Sequence, residues 1–345
     1  MNHQLGALQL DLPSPVRPGI RSCGCELWIK DDGAIHPIYG GNKARKLSIV
    51  LYRAQSRGAR RIITAGAAGS HHVLATGLLA GSLGISTTAL VFPRRWSLEA
   101  EQTLIAAYNA GVELVVLSSP ADVVLALRKI VRSTDFVIPP GATSPSTSEA
   151  YLEAGLELEQ QVRAGLLPEP DLLYVALGTG GTAAGLLAGL TAARLKTRLV
   201  GVSVLAFPGA GLWVRQLAKS TLQRHKTPNR IDPARLWVDK RWVGEGYGHV
   251  TEAARRAQSR ARQIGLTLEG TYTAKAFAAA IDGLSTPIAR GMVRPAVGPI
   301  QDRPLRLLFW ATLSSTCCAR TKTDPTRLPP TSHLPLPLAR LLRWR

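Results

Sequence analysis

In the stretch HPIYGGNKARKL (36–47), two glycines and an asparagine stand directly before Lys43, at the start of a helical pattern. Most lysines are solvated surface charges. Glycine, however, lets a backbone come close to a ligand or adopt dihedrals that other residues resist. A lysine held there is a candidate nucleophile, its amine able to attack a carbonyl. A second candidate is YVALGTGGTAAGLLAG (174–189), where an apolar strand ends at Gly178 and a helix begins near Gly181. The free N–H groups and dipole of a helix start favour an anion, and glycines let a phosphate reach the backbone. Thr179 and Thr182 add hydroxyl donors. The competing reading is a turn that needs glycine only for tight packing.

The kind of phosphate ligand can be narrowed. The dinucleotide pattern G-x-G-x-x-G requires a third glycine where Ala183 stands, and the acid expected about 20 residues on is missing from RLVGVSVLA. The Gly-Lys-Ser/Thr of a nucleoside-triphosphate loop is absent as well. A cofactor with one phosphate and a separate reactive group fits better. Pyridoxal phosphate is such a cofactor, and it needs a lysine.

Short apolar runs alternate with helical patterns along the chain. ELWIK (26–30), RRIITAGA (60–67), TTALVFP (87–93), VELVVLSS, DFVIPPG, DLLYVALG (171–178) and TRLVGVSVL read as strands. Helical patterns run between them, one from Ser70 to Leu83 and another after Ser97, a candidate N-cap, with Gly111 as its stop. Such alternation implies parallel sheets covered on both faces, with ligands outside the carboxyl ends of the strands. Function is therefore expected in the loops after ITAGA and LLYVAL and near Lys43.

The 345 residues suffice for two domains. No uncharged apolar run reaches the roughly 18 residues of a membrane-spanning helix, and the first residues do not read as a secretory signal. The four cysteines, Cys23, Cys25, Cys317 and Cys318, match no zinc spacing, so no metal and no disulfide framework are expected, and a cytoplasmic setting is. The net charge of +19 suggests an anionic partner, but residues 285–345 carry ten Lys or Arg against two acids, together with nine of the 23 prolines. That segment accounts for much of the excess. No nucleic-acid recognition motif is present. From about Thr316 no periodicity remains, and 317–345 reads as a disordered tail.

The motifs ELWIKDD, GGNKARKL, AGSHHVLATGLLA, LGTGGTAAGL, WVGEGYG and EGTYTAKAFAAAIDGL occur in the order found in the D-cysteine desulfhydrase and 1-aminocyclopropane-1-carboxylate (ACC) deaminase family. The resemblance covers about Leu12 to Ser315, and GGNKARKL is its most specific part. It implies an α/β protein of two parallel-sheet domains of the tryptophan synthase β-like kind (fold type II), with pyridoxal 5'-phosphate as cofactor. The larger domain would combine 1–47 with 145–316, and the smaller would be 48–144. Lys43 looks like the Schiff-base lysine that also moves the substrate Cα proton; Asn42 precedes it in the pattern with its role open. Ser70 would face the substrate carboxylate. Where the family carries Ser-Asn-His, this chain has Ser70, His71 and His72, so His71 replaces the asparagine that hydrogen-bonds near the cofactor ring.

Residues 178–182 (Gly178, Thr179, Gly180, Gly181 and Thr182) correspond to the phosphate cradle. Tyr247 and Tyr272 match two active-site tyrosines, and Thr312 would face the pyridine nitrogen. The deaminases carry glutamate where Thr273 stands and leucine where Thr312 stands. A hydroxyl at the ring nitrogen favours the unprotonated ring, a weaker electron sink. The resemblance thus leans toward D-cysteine desulfhydrase-like α,β-elimination from a small amino acid, giving a 2-oxo acid and ammonia, in a homodimer. ACC deamination, a non-catalytic pyridoxal-phosphate-binding protein and a nucleic-acid-binding protein are the alternatives.

Overall fold

The computed structural model describes residues 6–22, 24–228, 230–285, 303–315 and 341. The chain divides into two units. The first comprises Met1–Leu10, Ala34–Ala142 and Ser314–Arg345, and the second Asp11–Gly33 and Thr143–Leu313. A boundary between 47 and 48 would cut helix α1 (Gly41–Ser56), whose apolar face of Ala44, Leu47, Val50, Leu51 and Ala54 lies in the core of the first unit. Of the expected tail, 317–345, only Leu341 falls among the described residues, and its side chain is buried in that same core.

In chain order, a hairpin of β1 (Val16–Ser22) and β2 (Cys25–Asp31) belongs to the second unit and precedes α1. The first unit then runs β3 (Arg61–Ala67), α2 (His71–Gly81), β4 (Ser86–Phe92), α3 (Leu98–Asn109), β5 (Glu113–Val116), α4 (Val123–Ile130) and β6 (Asp135–Val137). Its four strands are all parallel, in the order β5-β4-β3-β6. Ser97 caps α3 as its position suggested, its Oγ accepting from Ala100 N at 3.2 Å. At the edge of the sheet Arg61 forks onto Asp135 with contacts of 3.0 and 2.7 Å, tying β3 to β6. The guanidinium holds the Asp135 carboxyl below the usual carboxylate range.

The second unit continues with α5 (Pro145–Arg163), β7 (Leu172–Leu177), α6 (Gly181–Ala192), β8 (Arg198–Ser203), α7 (Ala210–Arg224), β9 (Leu236–Asp239), α8 (Glu252–Gln263), α9 (Thr273–Ser285) and β10 (Leu305–Ala311). Its strand order is β1-β2-β10-β7-β8-β9. Every pairing is parallel except β1 with β2. β1 carries Pro18, which a central strand would not tolerate; it lies at the sheet edge, where a missing N–H costs little, and the register shifts beside it. That proline next to Gly19 is why VRPGIRS does not read as a strand. Helices α5 and α6 cross at glycine: a Cβ on Gly155 would lie 2.7 Å from Gly189 Cα, so no larger residue fits this approach.

A buried polar network fixes β2 against α5. Lys30 Nζ, fully buried, donates to Glu157 Oε1 at 2.6 Å, Gln161 Oε1 at 2.7 Å and the Ser14 carbonyl at 3.1 Å. Asp32 accepts from Tyr151 Oη at 2.6 Å and Trp310 Nε1 at 2.8 Å. Breaking one member of such a pair costs about 3–5 kcal/mol, because it leaves a buried charge uncompensated. Part of the chain's positive charge lies on α8, which buries Ala254, Ala257 and Ala261 and exposes Arg255, Arg256 and Arg262 to solvent. Among the described residues no helix is long and apolar enough to cross a membrane.

Each sheet has a point where the strand order reverses. In the first unit β4 and β6 flank β3, so the reversal lies at the carboxyl ends of β3 and β6. In the second, β8 and β10 flank β7, and the reversal lies at the carboxyl ends of β7 and β10. Crevices at such points are where open parallel sheets take ligands.

Candidate functional site

In the first unit, α1 begins at Gly40 with no side-chain cap, and Gly41 adopts φ +72°, a left-handed conformation that favours glycine. Gly40 N donates to Ser314 Oγ at 2.9 Å. Asn42 and Lys43 follow in the first turn, both half-buried. One turn on, Lys46 is buried, and its Nζ donates to the Gly141 carbonyl at 2.5 Å. Burial first, and the charge of Lys43 second, hold the Lys46 ammonium well below its ordinary pKa.

His72, also buried, lies near the same two lysines. Its Nε2 is 2.8 Å from Thr64 Oγ1, which itself donates to the Ile138 carbonyl at 3.0 Å. The one hydroxyl proton being committed to the carbonyl, the hydrogen-bond chain assigns the proton of His72 to Nε2. Nδ1 is then a bare acceptor, buried without a hydrogen-bond partner among the described residues. Burial, then Lys43, then Lys46, push the His72 pKa well below its ordinary value, so the ring is neutral. The surroundings of α1's first turn therefore disfavour added positive charge.

Ser70 caps α2, its Oγ accepting from His72 N at 3.2 Å. His71 opens that helix between two partners that sequence reasoning missed. Tyr39 Oη, on a buried side chain, is 3.0 Å from Nδ1, and Glu99 Oε1 is 3.8 Å from Nε2. Tyr39 stands inside the HPIYGGNKARKL stretch, but nothing in the spacing links it to His71, 32 residues on.

In the second unit, β7 runs straight into the 178–182 turn. Gly180 is the N-cap of α6, with φ +94° and no side-chain cap. The first-turn amides of α6 are therefore left without a side-chain acceptor from the capping position. Thr179 is tied at two points: Trp213 Nε1 donates to its carbonyl at 3.0 Å, and Thr143 Oγ1 is 2.6 Å from its Oγ1. Tyr272 packs on the turn, since a Cβ on Gly178 would lie 3.0 Å from its ring. Tyr272 Oη is 2.6 Å from Tyr247 Oη, and the two rings meet edge to face with centroids 5.9 Å apart. Carrying the β10–β7 register three residues beyond Phe309↔Tyr174 brings the buried Thr312 level with Leu177, beside the same turn.

Glu269, which opens the EGTYTAKAFAAAIDGL motif but carries no role in the resemblance, organises the start of α9. Its carboxylate accepts from the backbone N–H groups of Thr271, Tyr272 and Thr273 at 2.7, 2.8 and 2.5 Å. Thr273 Oγ1 donates to Glu269 Oε1 at 3.1 Å. The threonine is thus buried inside this cap.

The residues fit a group with one phosphate. Gly180 gives α6 no side-chain cap, and a Cβ at Gly178, Gly180 or Gly181 would crowd Tyr272, Trp213 or Thr143 at 3.0–3.1 Å, so these three positions stay without side chains. Lys43, half-buried in the first unit, carries a primary amine, the kind of group that a pyridoxal aldehyde requires. Comparison with known proteins gives the same answer. The family described as pyridoxal-phosphate dependent enzyme matches residues 11–291. The chain belongs to this family. D-cysteine desulfhydrase of Klebsiella pneumoniae (strain 342) is 31% identical over 278 residues, covering 76% of this chain and 82% of the relative. D-cysteine desulfhydrase of Salmonella paratyphi A is 31% identical over 279 residues with the same coverage.

Among solved structures, an ACC deaminase homologue superposes with a TM-score of 0.73 at 24% identity, covering 92% of this chain and 96% of that one. A hydrogen sulfide-producing enzyme from Fusobacterium nucleatum superposes with a TM-score of 0.60 at 14% identity, covering 91% and 98%. These two likenesses show the shared fold, two parallel-sheet α/β domains. The protein is a pyridoxal-phosphate-dependent enzyme of the D-cysteine desulfhydrase type.

Proposed function

We propose that the enzyme is a lyase acting on a small amino acid with a leaving group at Cβ, eliminating that group to give a 2-oxo acid and ammonia, as in D-cysteine desulfhydration. Bound pyridoxal phosphate supplies the electron sink that makes the substrate Cα–H acidic. In this reading Lys43 would hold the cofactor through its amine and would move the substrate Cα proton. The 178–182 turn and the first amides of α6 hold the phosphate. The Ser70 hydroxyl donates to the substrate carboxylate at the head of α2, where the helix dipole favours an anion. The paired phenols of Tyr247 and Tyr272 pass a proton to the departing β-substituent. Thr312 would face the pyridine nitrogen.

The single observation that favours elimination over ACC deamination is the state of Thr273. Its hydroxyl is tied to Glu269 within the cap of α9, and no carboxylate side chain occupies this position after Tyr272. Opening a cyclopropane requires more acid–base help than releasing a good leaving group.

The test has two parts. Wild type loaded with pyridoxal phosphate is expected to show a visible band that Lys43→Ala lacks. Wild type is then assayed with D- and L-cysteine, β-chloroalanine and ACC for ammonia, 2-oxo acid and, where relevant, sulfide. Products from a β-substituted amino acid and none from ACC are expected. Turnover of ACC at comparable kcat/KM would reverse the assignment, and cofactor binding with no product from any amino acid would make the protein a binder without turnover. The same reading makes the enzyme a homodimer, which light-scattering mass in solution would check.

A further inference from the structure

Thr179 is held from both sides by residues more than thirty positions away in sequence: the Trp213 indole on its carbonyl and the Thr143 hydroxyl on its side chain. The Thr179–Gly180 peptide is a planar trans unit, so the Gly180 N–H points opposite to the Thr179 carbonyl. Fastening that carbonyl to the indole therefore turns the Gly180 N–H away from Trp213. The same two residues wall the turn, because a Cβ on Gly180 would lie 3.1 Å from Trp213 Cδ1, and one on Gly181 3.1 Å from Thr143 Oγ1. Trp213 is 42% exposed, on the first turn of α7, where its own N–H donates to the Gly209 carbonyl at 3.0 Å. An indole this exposed adds little to a core. Its indole N–H is given to the turn.

We propose that Trp213 and Thr143 are positioning residues that hold residues 178–182 in the conformation that receives the cofactor phosphate, and that Trp213 is an optical reporter of phosphate arrival there. The inference rests on the turn being the phosphate site. It concerns the phosphate alone: the indole N–H fixes one peptide plane, and the Thr143 hydroxyl fixes the side chain of the residue before Gly180. Neither has a part in the amine chemistry of Lys43, so their loss should separate affinity for the phosphorylated cofactor from affinity for its aldehyde.

Full-length protein, freed of cofactor by dialysis, is titrated with pyridoxal phosphate, with pyridoxal and with inorganic phosphate, following absorption and tryptophan emission. Wild type should prefer pyridoxal phosphate over pyridoxal, and inorganic phosphate should shift its emission. Trp213→Phe, which keeps a ring and removes the N–H, should bind pyridoxal phosphate about tenfold more weakly, bind pyridoxal within twofold of wild type, and lose the phosphate-induced shift. Thr143→Val should weaken pyridoxal phosphate alone by a smaller factor, and Thr143→Ser should restore it. Variants that keep the full preference for the phosphorylated form overturn the inference while leaving the phosphate site in place. A wild type with no such preference overturns the phosphate site itself, and this inference with it. Should Trp213→Phe fail to fold, the Thr143 pair decides the matter by the same two affinities.

Discussion

Two strand-to-helix turns sit at corresponding points of the two sheets, and they end differently. After β3, Ser70 closes the turn with its own side chain, accepting from His72 N. After β7, Gly180 enters α6 in a left-handed conformation and offers no side chain. A capped helix start has an acceptor already in place, and what it presents is side chains, here Ser70 and His71. An uncapped one leaves backbone amides for an outside anion. The first arrangement suits a polar contact to substrate and the second a phosphate. Their surroundings differ in the same sense: the capped turn lies among groups whose positive charge is suppressed, Lys46 and His72, whereas the uncapped turn is lined by the neutral hydroxyl of Thr143 and the neutral indole of Trp213.

The sharpest way to break this contrast is to give the uncapped turn a side chain. Gly180→Ala places a Cβ at φ +94°, costing about 1–2 kcal/mol, and 3.1 Å from Trp213. Affinity for pyridoxal phosphate, read by absorption titration, should fall by tenfold or more, with pyridoxal affected little. The next effect belongs to the capped turn and depends on pH. The folded-state pKa of His72 is depressed, so below about pH 6.5 the unfolded chain takes up a proton that the folded chain refuses. Stability is therefore complete above that pH and is lost as pH falls. Urea unfolding at successive pH values should show a slope reduced in His72→Gln, by at most one proton, or about 1.4 kcal/mol per pH unit. The smallest effect should come from Ser70→Ala, which removes the cap and costs about 1 kcal/mol at neutral pH. It should also raise KM for the amino acid more than it lowers kcat. A Ser70→Ala variant equal to wild type in stability and KM would erase the distinction between the two turns.

Much of this was legible before any coordinates. The alternation of apolar runs with helical patterns reports parallel sheets, because a strand covered on both faces needs apolar residues on both faces. Lys43 and the 178–182 turn stood out because glycine is required locally, by backbone conformation. β1 was illegible for a local reason, since Pro18-Gly19 reads as a turn and only an edge position tolerates it. The Tyr39–His71–Glu99 string, the Glu269 cap and the Trp213 contact were illegible for another reason: a hydroxyl, a carboxylate or an indole can find a partner almost anywhere, and no period marks which one.

The amino-acid sequence by itself determined the residue types at the head of each helix, the amine, the bare glycine turn and the serine cap, because turns and caps are decided within a few residues of chain. Only the tertiary structure decided which distant side chains hold those heads in place. Trp213 and Thr179 are 34 residues apart, Thr143 and Thr179 36, and β10 enters the sheet between β2 and β7. Such pairings arise when packed elements bring remote segments within about 3 Å, a distance on which the order of residues along the chain is silent.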